Sequence, residues 1–305
     1  MRVAISGATG FIGSALARDL TANGFDVVRL VRLVRQQPSG PGEIGWDPSA
    51  GGSGLAPGSL SGINAVVHLS GAPIAGRRWT VARKELLRAS RIDSTRVLAT
   101  AMAGTNPQPE VLICGSATGY YGDTADQVVD ESSPRGNGFL AELVSDWEAA
   151  ADPARAAGIR VVHVRSGLVF GSGGGMLGRL LLPFRLGLGA QIGSGRQYLS
   201  WISLTDEVWA IRFLLDTPGI DGPVNLTAPE PVTNAEFTRA FAAALRRPAV
   251  LRLPALALQL ALGEVGGELL ASARVRPAKL LESGFTFAYP ELADALAAAV
   301  SHPSR

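Results

Sequence analysis

Apolar runs and amphipathic stretches alternate along the first 170 residues of the chain. The runs are short and rich in Val and Ile, which is typical of buried strands. They are RVAIS (2–6), DVVRLV (26–31), AVVHLSG (65–71), EVLICGS (110–116) and RVVHVRSG (160–167), with a shorter strand at EIGW (43–46) in a loop rich in Pro, Gly and Ser. Helical spacing follows the first run, where Ile12, Leu16 and Leu20 share one face, and recurs at about 80–103 and at 139–157.

This alternation predicts an α/β fold built on a doubly wound parallel sheet of the Rossmann type. The pattern changes after residue 171, because residues 171–195 are Gly-rich and apolar but interrupted by Arg, which favours a folded lobe over a linker. Helical patterns return at 206–215, 233–245, 255–262 and 290–300. We expect residues 1–170 to form the Rossmann domain, with residues of about 200–230 returning to it, and residues 171–305 to form a smaller C-terminal α/β lobe.

The amino-acid composition argues against two classes of binding partner, nucleic acids and membranes. Among 305 residues, 47% are apolar and 18% are charged, as expected of a compact globular protein. The formal net charge is only +2 and no run of Lys or Arg exceeds two residues, so we expect no nucleic-acid partner. The most apolar stretch, residues 253–263, is too short to span a bilayer, and we expect no membrane partner. The single cysteine, Cys114, lies in an apolar run and favours a reducing, cytoplasmic location.

The segment SGATGFIG (6–13) places Gly7, Gly10 and Gly13 between the first strand and the first helix. In dinucleotide-binding folds the first glycine allows a tight turn and the second lets the backbone approach a pyrophosphate. The third lets the helix pack close to the strand. The alternative is a glycine-rich turn without a ligand. Its position in a β/α pattern favours a dinucleotide site.

The end of the second strand indicates which dinucleotide is bound. NAD-specific sites usually carry an Asp or Glu there, to hold the ribose 2′-hydroxyl. This chain instead reads LVRLVR (30–35), with Arg32 where the acid would stand. A guanidinium suits the 2′-phosphate of NADP, so we predict NADP as the cofactor; the alternative is a solvated surface arginine.

Several longer motifs carry a resemblance to a known family. The glycine turn, AVVHLSG and SATGYYG (116–122) resemble extended short-chain dehydrogenases/reductases (extended SDRs) of the epimerase/dehydratase type. Four further motifs are similar to one atypical, epimerase-like branch that ends in a short domain of unknown function. They are RRWTVARKELLRASRIDST (77–95), LPFRLGLGAQIGSGRQYLSWI (182–202), PVNLTAPEPVTNAEF (223–237) and VRPAKLLESGFTFAYPEL (275–292). A plant relative in that branch is associated with plastid division, and some bacterial members are labelled cell division inhibitors.

The resemblance implies a set of cofactor contacts along the turn, the strand ends and one helix. These are Gly7, Thr9, Gly10, Phe11, Ile12, Gly13, Val31, Arg32, Leu69, Ser70, Gly71, Arg91, Leu168 and Val169. Leu168 or Val169 should approach the nicotinamide. Arg91 should contact NADP, although a charge on the helix surface is an equal alternative. The C-terminal lobe, 171–305, should bind a small-molecule substrate, while His68 receives no role.

The catalytic pair of typical members is missing. They use a Tyr to protonate the substrate oxygen and a Lys one helical turn later to lower the pKa of that Tyr. Helix 139–157 offers Phe139 or Leu140 for the Tyr, and Leu143 or Val144 for the Lys. The chain has two lysines and four tyrosines, and no Tyr is followed by Lys four residues later. The usual pair is therefore absent in any alignment.

Other residues could take over the chemistry. Ser116 occupies the place of the serine that orients the substrate carbonyl, and Tyr120 or Tyr121 could donate a proton. The favoured alternative is that one tyrosine packs and the other hydrogen-bonds to the backbone. In the lobe, GSGRQYLSW (193–201) offers substrate contacts. They are Arg196, Gln197 and Trp201. Trp201 could instead be a core residue, because SWISL reads as a buried strand. The three histidines share no ligand spacing, so we expect no metal site.

Two functions follow from these observations. The first is an NADP(H)-dependent oxidoreductase or isomerase of atypical mechanism, acting on a small carbonyl or hydroxyl compound. The second is a non-catalytic NADP(H)-binding sensor or regulatory protein linked to cell division. The missing Tyr–Lys pair favours the sensor, whereas the complete lobe with polar Arg196 and Gln197 favours the enzyme. The substrate and the oligomeric state are left open.

Overall fold

The computed structural model describes residues 1–33, 40–51, 54–74, 78–268 and 270–301. Outside them lie the last two residues of LVRLVR, the first arginine of RRWTV and the C-terminal histidine. The strands and helices follow in chain order. They are β1 (Arg2–Ser6), α1 (Phe11–Ala22), β2 (Asp26–Arg32), β3 (Glu43–Trp46), β4 (Ala65–His68), α2 (Val81–Ala103), β5 (Val111–Ala117), β6 (Val128–Val129), α3 (Phe139–Ala149), α4 (Asp152–Ala156), β7 (Arg160–Ser166), β8 (Leu168–Phe170), α5 (Gly175–Arg185), β9 (Ala190–Ile192), β10 (Tyr198–Leu199), β11 (Trp201–Ser203), α6 (Leu204–Asp216), β12 (Gly222–Leu226), β13 (Val232–Thr233), α7 (Asn234–Ala244), β14 (Leu251–Leu253), α8 (Ala255–Leu262), α9 (Glu264–Glu268), β15 (Arg274–Val275), α10 (Ala278–Glu282) and α11 (Leu292–Ser301).

Seven parallel strands form the central sheet, in the order β12-β7-β5-β4-β1-β2-β3. This confirms the predicted doubly wound parallel sheet. The strand order reverses at β1, so the carboxyl ends of β1 and β4 flank the crevice in which such folds bind ligands. The glycine turn follows β1 directly and lies at this crevice.

Alternate residues of the strands enter two cores, one on each face of the sheet. Val3 and Ile5 pack with Leu16 of α1 on the face that α6 also covers. Between them in sequence, Ala4 faces the opposite core, which contains Leu98 of α2. Because side chains alternate along a strand, a strand that is buried on both faces is mostly apolar, as are β1 and β4; their buried polar residues, Ser6 and His68, hydrogen-bond to each other.

The predicted helix 139–157 is two helices, α3 and α4. Pro153 lies in the first turn of α4, where its missing N–H costs nothing and its fixed φ suits a helix start. The remaining helical predictions match α2, α6, α7, α8 and α11 to within a few residues. In the described part of the chain, no helix has both the length and the apolar character that crossing a bilayer requires.

The C-terminal lobe has its own core. Phe170, Phe237 and Phe241 pack there with Trp201 and Leu296, beneath several two-stranded sheets. One element from this half of the chain, β12, lies at the edge of the central sheet. The division of the chain near residue 170 stays a prediction.

Candidate cofactor and active site

The glycine turn cannot accept side chains. Gly7 has φ +72°, and a Cβ there would lie 2.9 Å from the backbone carbonyl of Leu69 at the end of β4. A Cβ on Gly13 would lie 2.2 Å from the carbonyl oxygen of Gly7, and the N–H of Gly10 donates to that same oxygen at 2.9 Å. The three glycines therefore allow β1, α1 and β4 to approach one another, as the sequence pattern predicts.

The N-terminus of α1 is open to an anion. Gly10 precedes the helix in an extended conformation and offers no side chain to cap the first N–H groups. The first turn contains no acidic residue that would compete with a phosphate. In contrast, hydroxyls of Thr80 and Ser203 cap α2 and α6. Free N–H groups and the helix dipole together are favourable for a phosphate at this end of α1; that one binds there stays a prediction.

Phe11 has a packing role beside this turn. Its ring lies against the glycine-rich loop that follows β8: a Cβ on Gly174 would lie 2.4 Å from the ring, and one on Gly175 would lie 3.1 Å from it. The glycines of this loop thus let it lie against α1. Contact of Phe11 with the cofactor stays a prediction.

A cavity of about 260 Å³ adjoins the turn. Its walls include five predicted cofactor residues and five others. The predicted ones are Gly7, Thr9, Val31, Arg32 and Ser70; the others are Ala8, Arg29, Leu30, Glu43 and Trp46. Two guanidinium groups, of Arg29 and Arg32, and one carboxylate, of Glu43, thus line the cavity; Glu43 lies on β3 and not at the end of β2. This charge balance suits an additional phosphate.

Arg91 is not a charge on the helix surface, so that alternative is wrong. Its side chain is buried, and its Nη2 donates to the carbonyl oxygen of Ala72 at 3.0 Å. Its guanidinium lies 5.2 Å from the ring of Trp147, and a Cβ on Gly71 would lie 3.2 Å from its Cζ. Burial, and then the charge of Arg83, lower the pKa of Arg91 to about 10. Its buried Nε has no partner among the described residues, so a donor remains for a ligand at the end of β4.

His68 links three elements. Its Nδ1 lies 2.5 Å from the hydroxyl of Ser6 on β1, and its Nε2 lies 3.0 Å from the hydroxyl of Ser94 on α2. Burial, and then the charge of Arg91, lower its pKa to about 3, so the ring is neutral at physiological pH. His68 therefore acts as a structural link, consistent with the absence of any assigned role.

Apolar packing replaces the catalytic Tyr and Lys on α3. Leu143 and Val144 are fully buried. Leu140 joins a small cluster with Trp79 of the loop before α2, and its Cβ would lie 3.3 Å from a Cβ on Gly119. These positions can neither donate a proton nor hold a ribose hydroxyl.

A buried polar network stands beside them. Glu148 lies on α3, one helical turn beyond Val144, and accepts a hydrogen bond of 2.6 Å from the hydroxyl of Ser116. It also accepts two hydrogen bonds from Arg165, each 2.8 Å long, through Nε and Nη2. Ser116 and Arg165 occupy paired positions on β5 and β7, so the sheet itself places them side by side. Both charged side chains are largely buried.

The network continues through two tyrosines. Arg165 donates to the hydroxyl of Tyr121 at 3.0 Å, and Tyr121 donates to Oδ1 of Asn225 at 2.8 Å. Asn225 pairs with Arg165 in register, on β12. The guanidinium carbon of Arg165 lies 3.4 Å from the ring centroid of Tyr120. A serine, a carboxylate, a guanidinium and two phenol rings therefore form one cluster at the carboxyl ends of β5, β7 and β12.

Charge within the network is balanced. Burial alone would raise the pKa of Glu148, but the hydrogen bonds and charge of Arg165 outweigh it and hold that pKa below its usual value. Burial opposes the charge of Arg165, yet the bonds to Glu148 raise its pKa. The pair is thus ionised at neutral pH.

Tyr121 does not fit the predicted role of proton donor. Its side chain is 3% exposed, its hydroxyl hydrogen is donated to Asn225, and it accepts from Arg165. Burial raises its pKa to about 12 despite that positive charge. Tyr120 is half-buried and stacks on Arg165, which is compatible with either packing or catalysis. Ser116 keeps its oxygen lone pairs after donating to Glu148, so it is the candidate best placed for chemistry.

One of the three substrate contacts predicted in the lobe is wrong. Trp201 is 1% exposed, stacks on Phe170 and donates to the carbonyl oxygen of Glu230, so it is a core residue and not a wall of a cleft. Gln197 is also buried, and its amide donates to the carbonyl oxygen of Ile192 at 3.0 Å; its contact with a substrate stays a prediction. Arg196 is exposed. Its role stays a prediction, as do the roles of the half-buried Leu168 and Val169.

Four residues of the site were missed in the sequence: Arg29, Glu148, Arg165 and Asn225. A signal existed for two of them. Arg165 is a charged residue between the apolar residues of a strand that is buried, so it requires a partner, and Glu148 follows the missing Lys position by one helical turn. Within the described residues, no group of three or more His, Cys, Asp or Glu side chains is arranged to hold a metal.

A second buried carboxyl lies on α6. Glu207 is fully buried and accepts a hydrogen bond of 2.5 Å from the hydroxyl of Ser166 at the end of β7. Its other oxygen is buried with no partner among the described residues. Burial raises the pKa of Glu207 to about 8, so the group is mostly protonated at neutral pH.

Comparison with known proteins confirms the resemblance. Residues 3–226 match the NAD dependent epimerase/dehydratase family, and residues 253–299 match a domain of unknown function, DUF1731. An epimerase family protein of Mycobacterium tuberculosis, MT2273, is 48% identical over 302 residues, which are 99% of this chain and 98% of that protein. The human epimerase family protein SDR39U1 is 39% identical, over 97% of this chain and 98% of that protein.

Solved structures of related proteins have the same fold. A crystal structure of human SDR39U1 (isoform 2) with NADPH has a TM-score of 0.88 at 37% identity and covers 99% of both chains. A nucleoside-diphosphate sugar epimerase from Corynebacterium glutamicum has a TM-score of 0.80 at 35% identity, covering 98% of this chain and 58% of that one. UDP-glucose 4-epimerase of Thermus thermophilus with NAD, at 20% identity and a TM-score of 0.76, shares the fold. The chain therefore belongs to the NAD dependent epimerase/dehydratase family, an extended SDR-like family, and carries its DUF1731 domain at the C-terminal end.

Proposed function

We propose that this protein is an NADP(H)-dependent oxidoreductase or isomerase that acts on a small carbonyl or hydroxyl compound. The observation that carries this proposal is the cluster of Ser116, Glu148 and Arg165 at the same edge of the sheet as the glycine turn. A protein that only sensed a nucleotide would not need a hydroxyl bonded to a buried, ionised carboxylate at this edge. The hydroxyl of Ser116 can pass its proton to this carboxylate along the existing hydrogen bond.

The choice of NADP rests on the cavity beside the turn. Arg29 and Arg32 line it, and β2 ends without an acid. The related human protein crystallised with NADPH supports the same choice. The open α1 terminus and the glycine turn would hold the pyrophosphate, and Arg91, buried near the end of β4, would lie beside the ligand.

The hydrogen bonds of the polar network indicate the direction of proton transfer, from the substrate through Ser116 to Glu148. When bound, the nicotinamide supplies or accepts a hydride. Ser116 donates its own hydrogen to Glu148, so its lone pairs can accept a proton from a substrate hydroxyl while Glu148 takes the proton of Ser116. Arg165 keeps Glu148 ionised and therefore ready to accept. Removal of a hydroxyl proton, the start of an alcohol oxidation or of an epimerisation through a ketone, is the step that this arrangement favours.

Cofactor choice can be tested by titration. We expect wild-type protein to bind NADPH more tightly than NADH. A charge-assisted hydrogen bond contributes ~1.5–3 kcal/mol, so Arg32→Ala should weaken NADPH binding roughly ten- to a hundredfold and leave NADH nearly unchanged. Arg96→Ala, on the exposed face of α2, is the matched control. Preference of the wild type for NADH in calorimetry would refute the NADP assignment.

Catalysis can be tested with a panel of small alcohols, ketones and sugar derivatives, by following the absorbance of NADPH. For any active compound, Ser116→Ala and Glu148→Gln should lose turnover while NADPH still binds. Since Gln cannot accept a proton, the Glu148→Gln rate should also lose the acidic limb of its pH profile. Full activity in either variant would exclude the proposed proton route.

The second candidate is a non-catalytic NADP(H)-binding sensor or regulatory protein linked to cell division. The apolar Leu140 and Val144 at the usual Tyr and Lys positions favour it. It predicts that NADPH binds, that no compound in the panel is turned over, and that Ser116→Ala has no cellular effect.

We place either activity in the cytoplasm, because the single cysteine, Cys114, is fully buried and free.

A further inference from the structure

Exposed apolar side chains are concentrated on one part of the C-terminal lobe. Fourteen large apolar side chains are exposed in the described residues, and eight of them lie in two segments, 182–188 and 250–260. The first segment ends α5. Leu182, Leu186 and Leu188 there are 66%, 65% and 57% exposed. Single exposed leucines are ordinary on a protein surface, but a concentration of them marks an interaction site.

The second segment contains β14 and α8. Leu256 and Leu260 are one helical turn apart on α8, so they share a face, and both are about two-thirds exposed. The two segments adjoin each other. β14 pairs with β9, which follows Leu188, and a Cβ on Gly187 would lie 3.9 Å from the ring of Pro248 just before β14. We call these two adjoining segments, residues 182–188 and 246–260, the lobe patch.

The charge on the lobe patch has one sign. Four exposed arginines lie in it, and none of them forms an ion pair within the described chain. They are Arg185, Arg246, Arg247 and Arg252. The sequence segments 171–205 and 237–263, which supply the lobe patch, contain no Asp or Glu at all. In a chain with 28 basic and 26 acidic residues, this local imbalance favours an anionic partner over a neutral or cationic one.

We propose that the lobe patch docks the protein on an anionic lipid surface. A second copy of the chain would place arginines against arginines across a two-fold axis, which repel each other. A protein partner is disfavoured by the side chains present. Binding hot spots between proteins are rich in Trp, Tyr and Arg and poor in Leu and Val; the patch has arginines, but its exposed apolar side chains are only Leu and Val, with no aromatic anchor among them.

The geometry suits attachment and not insertion across the bilayer. Helix α8 has 8 residues, far fewer than the ~20 that span a bilayer. Leucines on one face with arginines beside them are the composition of segments that lie in the headgroup region. This proposal replaces the sequence-based expectation that the protein has no membrane partner, and it does not depend on the proposed catalytic activity.

Vesicle co-sedimentation tests the proposal. Full-length protein is mixed with vesicles of phosphatidylcholine alone, or of phosphatidylcholine with phosphatidylserine. We expect binding only to the second, weakened by high salt. Because each arginine near an anionic surface contributes roughly fivefold in binding, Arg246→Gln/Arg247→Gln should lower binding about 25-fold. Leu256→Ser/Leu260→Ser should also abolish most of it.

Two control variants lie outside the lobe patch. Val81→Ser removes an apolar side chain that is 76% exposed, and Arg96→Gln removes an exposed arginine of α2; both should bind vesicles like the wild type. All variants should bind NADPH normally, which shows that they are folded. The proposal is overturned if wild-type protein ignores phosphatidylserine vesicles or if the controls lose as much binding as the patch variants. It is also overturned if the patch variants only dissociate a dimer or only release a bound protein.

Discussion

Glu148→Gln should destabilise the protein strongly while hardly changing its volume. The change removes the negative charge that faces Arg165 across two hydrogen bonds of 2.8 Å. Arg165 is 3% exposed and Glu148 is 13% exposed, so the arginine would be left charged and largely without water. Breaking such a buried pair costs ~3–5 kcal/mol, and the partial exposure of Glu148 places the expected cost near the lower end, about 3 kcal/mol.

The cost should depend on pH in a definite direction. The pKa of Glu148 is lowered in the folded state, so the pair contributes stability above the unfolded pKa of about 4.3 and loses it as pH falls through the folded pKa. The difference between wild type and variant is therefore complete at neutral pH. It should shrink in acid, where the wild-type carboxyl also becomes neutral.

Urea unfolding followed by circular dichroism measures the cost. Glu142→Gln is a matched control on the same helix, because Glu142 is 56% exposed in a surface pair with Arg88 at 3.5 Å. That variant should lose less than about 1 kcal/mol. The double variant Glu148→Met/Arg165→Met should be more stable than Glu148→Gln alone, because no unpaired charge remains. A loss below about 1 kcal/mol for Glu148→Gln would refute the buried ion pair.

Three further predictions address the turn, α3 and α6. Gly13→Ala should lose most of its NADPH affinity in a fluorescence titration, because the new Cβ would overlap the carbonyl oxygen of Gly7; unchanged affinity would contradict the turn geometry. Leu140→Ala should cost about 1–2 kcal/mol, below the ~2–5 kcal/mol of a fully buried leucine, and should not change NADPH affinity; a large loss of affinity in the folded variant would place α3 in the cofactor site. The pKa of Glu207 rises from 4.5 to about 8 on folding, so wild-type stability should fall as pH rises between these values, and Glu207→Gln should remove that fall; an unchanged pH profile would mean that the carboxyl is not buried.

Local patterns were sufficient to predict the sheet and the glycine turn. Mostly apolar runs such as AVVH can be buried on both faces only in a parallel sheet covered by helices, and they appear as β1, β4, β5 and β7. The turn could also be predicted, because Gly10 and Gly13 are required by contacts with Gly7 a few residues away and Gly7 has a positive φ; the contact of Gly7 with Leu69 needed the fold. The family resemblance, carried by motifs along the whole chain, was also confirmed.

The active-site cluster required the tertiary structure. Ser116, Arg165 and Asn225 come from three separate strands and meet only because β5, β7 and β12 are neighbours in one register. The assignment of Tyr121 failed for the same reason, because the groups that occupy its hydroxyl are 44 and 104 residues away in sequence.

The sequence by itself determined the fold class, the glycine turn and the absence of the Tyr–Lys pair, because periodicity, local turns and residue counts need no distant contacts. The tertiary structure decided that Trp201 is core, that Arg91 is buried, and that Glu148 and Arg165 form an ion pair. Burial and ion pairing depend on which distant elements pack together, and the free energy of a charge changes with that packing far more than with its sequence neighbours.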